Sequence, residues 1–180
     1  TNLIKKIFLS IKKKKFKPLF IPRFDKSKDD RCNKKKWQKI AKQPHIIIFE
    51  GWCVGAQPQK KIILKNSINI LEKKHDPDLI WRSKVNYELK HEYKKIFKKI
   101  DRLIFLKVPN FQSVYKWRLL QEKKLRLTSK GKKIMSTTQV KSFIMYYERI
   151  TKQMLVDLTK KAYTVLYLDN KHRFNKIKFN

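Results

Sequence analysis

Three stretches of this chain carry side chains whose types and spacing could do chemistry. In Ile21-Pro22-Arg23-Phe24-Asp25-Lys26-Ser27-Lys28-Asp29-Asp30-Arg31, three carboxylates alternate with cations. Asp25 can accept hydrogen bonds from hydroxyls, and Arg31 can fork onto a carboxylate, so the pair suits a hydroxylated, anionic small molecule. On composition alone the same stretch reads more readily as a solvated charged loop. The second stretch is His45-Ile46-Ile47-Ile48-Phe49-Glu50-Gly51. Its β-branched run predicts a strand buried on both faces, with Glu50 at its end. A carboxylate there, in the crevice where α/β sheets bind ligands, would hold magnesium directly or through water, or else cap a neighbouring helix. Gly51 leaves room for close approach. The third stretch, Tyr115 to Glu122, places Arg118 on a helix with Trp117 and Glu122.

Positioning these residues requires an alternating set of elements. Leu3, Ile4, Ile7, Phe8 and Ile11 recur at helical spacing ahead of a lysine run and Pro18, which ends the pattern. From Pro22 to Gln43 the pattern is that of a long loop, with a turn of helix near Trp37 to Ala41. After the strand at His45 to Phe49, the positions Val85, Leu89, Tyr93, Ile96, Phe97 and Ile100 mark a helix, and Leu103 to Val108 a second strand. Strand, helix and strand make a βαβ crossover. Val140, Phe143, Ile144, Tyr147, Ile150, Met154 and Leu158 form an amphipathic stripe ahead of a third strand at Ala162 to Leu168. The expected class is α/β, a parallel sheet flanked by helices, in a single domain over 1–180.

The order of several segments identifies a family resemblance. Pro22-Arg23-Phe24-Asp25-Lys26-Ser27 followed by Phe49-Glu50-Gly51-Trp52-Cys53-Val54-Gly55, then Asn69-Ile70-Leu71-Glu72, Trp81-Arg82-Ser83-Lys84-Val85-Asn86, Tyr115-Lys116-Trp117-Arg118-Leu119-Leu120-Gln121-Glu122 and Tyr146-Tyr147-Glu148-Arg149-Ile150-Thr151, resemble the bacterial glycerate kinase-like branch of the phosphoribulokinase and uridine kinase superfamily. The resemblance runs from about Pro22 to Arg173. It implies ATP and magnesium as cofactors, glycerate or a similar hydroxy acid as substrate, and a substrate loop of Asp25, Lys26 and Arg31. It implies Glu50 at the magnesium and Arg118 in a lid over the transferring phosphoryl group, with Arg126 assisting. Arg82, Asn86, Tyr147 and Arg149 are further substrate-binding candidates, whereas Trp81, Trp117 and Met154 read as core.

The resembled enzymes hold ATP on G-x-x-x-x-G-K-[ST], whose backbone amides cradle the phosphates. This chain has three glycines, Gly51, Gly55 and Gly131, and none begins that motif. Only the C-terminal portion of the kinase domain is therefore expected. The chain is then truncated, decayed, or completed by a P-loop half in trans, and inactive alone. A non-catalytic partner of a kinase half is an alternative, and strand edges without neighbours predict low stability or association.

A net charge of +33 ordinarily points to nucleic acid. Here the lysines are scattered along the chain and 8 of the 47 basic residues are arginine, the type favoured for forked recognition. Compositional drift is the preferred account and a nucleic-acid-binding protein the alternative. Cys32 and Cys53 have no ligand spacing with the four histidines, so no zinc site is expected. Sparse cysteine and short apolar runs give the expectation of a cytoplasmic chain without a membrane span.

Overall fold

The computed structural model describes residues 2–25, 30–128 and 134–180. The chain separates into two compact units, Thr1–Gly51 and Trp52–Asn180.

The first unit opens with α1 (Asn2–Ile11), which follows the expected apolar stripe and buries Ile11. Gln43 Nε2 donates to the Ile11 carbonyl at 2.6 Å, satisfying a helix-end acceptor, and Phe8 meets the Phe49 ring edge-on at 5.5 Å. The stretch expected to be a loop instead holds two nested antiparallel pairs: β1 (Leu19–Ile21) with β4 (Gln38–Ile40), and inside it β2 (Phe24–Asp25) with β3 (Asp30–Arg31). Backbone groups pair across the stretch where its polar side chains suggested solvation. The helical turn lies at Lys34–Lys36, capped by Asn33, rather than at Trp37 to Ala41. The expected strand His45 to Phe49 is also corrected. No described strand pairs with it, and Ile46 and Ile48 are 80% and 87% exposed. A β-branched run lacks a ladder wherever no partner backbone lies beside it, so Glu50 does not end a strand.

The second unit begins with a turn in which Gly55 adopts φ +84° against Leu103. Three short helices follow: α2 (Lys61–Lys65), α3 (Ile70–His75) and α4 (Ile80–Glu88), the last continuing through a π turn (Leu89–Tyr93) into α5 (Lys94–Phe97). Then come β5 (Ile104–Lys107), α6 (Phe111–Thr128), α7 (Thr137–Lys161), β6 (Thr164–Leu168) and β7 (Phe174–Phe179). Asn110 starts α6 by accepting from Ser113 N at 2.9 Å. Ser136 and Gln139 form a reciprocal capping box on α7.

The sheet order is β5-β6-β7, with β5 and β6 parallel and β7 antiparallel. The expected parallel pairing is present between β5 and β6, the addition of β7 makes the sheet mixed, and the crossover joins the second and third expected strands through α6 and α7. Phe105, Val165 and Tyr167 face the helices and pack with Leu89, Met154, Leu158 and Ala162 in the core. Ile104, Leu106, Ile177 and Phe179 lie on the other face by register and remain exposed.

Candidate functional site

Where α3, α4 and α7 meet, charge is buried. Asn69 caps α3 by accepting from Glu72 N at 3.0 Å, and that first turn aims Glu72 inward, 1% exposed. Arg149 from α7 meets its carboxylate with Nε at 2.7 Å and Nη2 at 2.6 Å. Arg82 Nη1 approaches at 3.2 Å, and Ile68 N donates at 3.0 Å. Burial alone would raise the Glu72 carboxyl's pKa. The Arg149 hydrogen bonds, the Ile68 amide and the two guanidinium charges outweigh that and hold it below the ordinary carboxylate range.

The remaining donors are engaged as well. Arg149 reaches Gln59 Oε1 at 3.1 Å and the Ile63 and Asn66 carbonyls at 3.3 and 2.6 Å. Arg82 Nη2 donates to the Asp76 carbonyl at 2.8 Å. Its Nε lies 2.9 Å from Asp76 Oδ2 without an aligned hydrogen bond, a contact of charge rather than of direction. The Asp76 carboxylate itself accepts from Trp81 N and Arg82 N at 2.8 and 3.0 Å and so caps α4, whose entry residue Leu79 sits at φ 63°. Asn86 pins the Gln59 backbone, accepting from its N at 2.7 Å and donating to its O at 3.1 Å.

Three of the expected substrate contacts, Arg82, Asn86 and Arg149, are therefore brought together, but around Glu72, and each is bonded to protein. The cleft they line with Gln57, Trp81 and Gln153 has about 30 Å³ of free space, room for a water rather than an organic acid. Tyr147 lies apart from the carboxylates, edge-on to Trp52 at 4.7 Å and tilted on Phe143 at 4.9 Å. Glu72 was not singled out from the sequence, although Asn69 three residues ahead of it is a helix-start signal.

Arg118, the expected lid residue, is on α6. It is paired with Gln121 and with the buried Glu122, and stands 5.4 Å from the Phe143 ring centre. Glu122 also accepts from Met135 N at 2.9 Å. Arg126 donates to the Met135 carbonyl at 3.4 Å. Among the first unit's candidates, Asp25 and Arg31 stand on adjoining hairpin strands, with Asp25 across from Asp30 and Arg31 across from Phe24. Lys26 lies outside the described residues. Glu50 is exposed and has no hydrogen bond or ion pair among the described residues. Burial pushes the Cys53 thiol up, leaving it a packing group.

The described residues contain no cluster of three metal-ligating side chains. A single carboxylate is compatible with magnesium held mainly by water and phosphates, so Glu50 fits that part. The G-x-x-x-x-G-K-[ST] run does not occur in this sequence. No described helix is long and apolar enough to cross a membrane.

The second unit is thus a mixed α/β unit with a buried arginine–carboxylate cluster, and comparisons with known proteins give its relatives. No protein-family model matches the chain. An uncharacterised kinase of Schizosaccharomyces pombe is 35% identical over 133 residues, covering 71% of this chain and 46% of the relative. The chloroplastic D-glycerate 3-kinase of Arabidopsis thaliana is 29% identical over 131 residues, covering 71% and 26%. Among solved structures, the D-glycerate 3-kinase of Cryptococcus neoformans superposes with a TM-score of 0.79 at 20% identity, over 99% of this chain and 66% of that one. The YGR205w protein superposes at 0.73 and 25% identity, over 98% and 62%. Over most of its length the chain resembles D-glycerate 3-kinase-like kinases. It spans less than half the length of the curated relatives it matches.

Proposed function

We propose that this chain forms part of an ATP-dependent kinase that phosphorylates a hydroxyl of a small hydroxy acid such as glycerate. The observation that carries the reading is the match to a D-glycerate 3-kinase over 131 residues, with the likeness in fold beside it. In this reading Asp25 of β2 and Arg31 of β3 meet the hydroxyls and carboxylate of the acid, and Lys26 is a further contact that the resemblance alone supplies. Glu50 orders water around magnesium. Arg118 exchanges Gln121 and Glu122 for the phosphoryl oxygens when the site is complete, because a guanidinium offsets charge that develops there. Arg82 and Arg149 act at one remove, holding α3, α4 and α7 together through Glu72, while Asn86 fixes the segment at Gln59. The phosphates of ATP are held by a segment with a P-loop, so the chain alone is inactive.

The test is phosphorylation of glycerate by the purified chain, alone and with the P-loop-bearing segment of a related kinase. Activity only in the mixture supports the reading. Inactivity in a mixture whose two components demonstrably associate would overturn it.

A further inference from the structure

We propose that Phe143 is a positioning residue for Arg118, and that Tyr147 and Trp52 fix the ring that does the holding. The guanidinium carbon of Arg118 stands over the Phe143 ring, 5.4 Å from its centre, within the range at which a cation is drawn to the negative face of an aromatic ring. The other holds on this arginine are polar. Nη1 meets Gln121 Oε1 and Nη2 meets Glu122 Oε1, each at 2.5 Å, while Nε is enclosed without an acceptor among the described residues. The two kinds of contact differ in what they take from the side chain. An amide or carboxylate oxygen occupies an N–H group, whereas the ring attracts the charge as a whole and leaves every N–H available. When Gln121 and Glu122 are exchanged for phosphoryl oxygens, the contact with Phe143 therefore need not break.

The ring is itself braced along α7. Phe143, Tyr147 and Thr151 follow one another at intervals of four residues and so form a row on one face of that helix. Tyr147 lies tilted against Phe143 at 4.9 Å, and Trp52 stands edge-on to Tyr147 at 4.7 Å. The Trp52 indole N–H donates to Thr151 Oγ1 at 2.9 Å, which returns the brace to α7 one turn further on. Each ring limits the rotation of the next, and the series ends on the Arg118 guanidinium. Tyr147, expected to touch substrate, acts in this arrangement through Phe143. A free arginine has many rotamers to lose. A ring that confines it before substrate arrives reduces the ordering left for the moment of transfer, a gain that shows in kcat rather than in binding.

The effect on rate rests on the kinase reading, so the test begins with a measurement that needs no turnover. In the isotopically labelled full chain, the Arg118 Nε–Hε resonance is identified by its loss in Arg118→Lys. Phe143→Leu is expected to move that resonance downfield, because the shielding ring is gone, and Phe143→Tyr to leave it nearly in place. In the chain complemented by a P-loop segment, Phe143→Leu should lower kcat about 10-fold with KM for glycerate nearly unchanged. Phe143→Tyr should keep the wild-type rate. In an Arg118→Ala background, Phe143→Leu should change kcat less than about 2-fold, since the group it aims is absent. Circular dichroism establishes that each variant folds, and Phe143→Met replaces the leucine if it does not. An unmoved resonance would overturn the proposal, as would a loss of kcat as large without Arg118 as with it, the result that packing alone gives. A shifted resonance in a chain that stays inactive when complemented supports the hold on Arg118 and counts against the kinase reading alone.

Discussion

Glu72 and Arg149 stand 77 residues apart in sequence and share two hydrogen bonds of 2.7 and 2.6 Å in a site almost closed to water. One contact ties the start of α3 to the middle of α7. The same guanidinium then holds the carbonyls of Ile63 and Asn66, so the segment between α2 and α3 is fixed by the same ion pair.

Removing the negative charge leaves two buried guanidiniums underbalanced. Glu72→Gln is expected to destabilise the second unit by about 3 kcal/mol, the scale for breaking a buried pair by losing one partner. Urea denaturation followed by tryptophan fluorescence measures this, and a change below about 1 kcal/mol would show that the cluster is relaxed or wet. Acid acts in the same direction. Because folding depresses the Glu72 carboxyl below its ordinary value of 4.5, its contribution is complete above that pH and is lost as pH falls through the depressed folded value. The wild type should therefore lose stability on acidification below about pH 4.5 more steeply than Glu72→Gln does.

Gly55 has a positive φ and approaches Leu103 so closely that an added Cβ would lie 2.7 Å from Cδ2. Gly55→Ala should cost roughly 1–3 kcal/mol through strain and displacement of that leucine. A melting temperature equal to that of the wild type would show that the turn before Ala56 adapts freely.

Arg118 is the side chain whose role separates chemistry from packing. In the chain complemented by a P-loop segment, Arg118→Lys should lower kcat by at least about 100-fold and leave KM for glycerate nearly unchanged, because an ammonium keeps the charge but not the fork. Should kcat stay within a few-fold of wild type, Arg118 serves only to pair Glu122.

Charge without a focused patch should bind polyanions weakly and without selection. Duplexes of unrelated sequence are expected to bind alike, with affinity falling by roughly 10³-fold or more between 50 and 200 mM salt if six or more phosphates are contacted. Fluorescence anisotropy across that range decides the matter, since a sequence-selective complex that survives the higher salt would restore the nucleic-acid alternative.

What the sequence revealed depended on whether the cause was local. α1, β5, β6 and α7 are legible because apolar spacing and caps lie within each element. The strand expected at His45 to Phe49 is not found because β structure is a property of two backbones, and none of the described strands lies beside it. β7 escaped notice because Phe174, Ile177 and Phe179 alternate imperfectly with lysines and asparagine, and its apolar side chains remain exposed. The site divides in the same way. Arg82 and Arg149 stood out as motif residues, whereas their engagement by Glu72 depends on helices brought together from distant positions.

The capping box of Ser136 and Gln139 has an effect on how the chain tolerates change. α7 carries its own start signal, so its rotational phase is set from Ser136 onward, and with it the direction in which Arg149 points. The geometry of the Glu72 cluster on that side is then fixed by a signal carried within α7 itself.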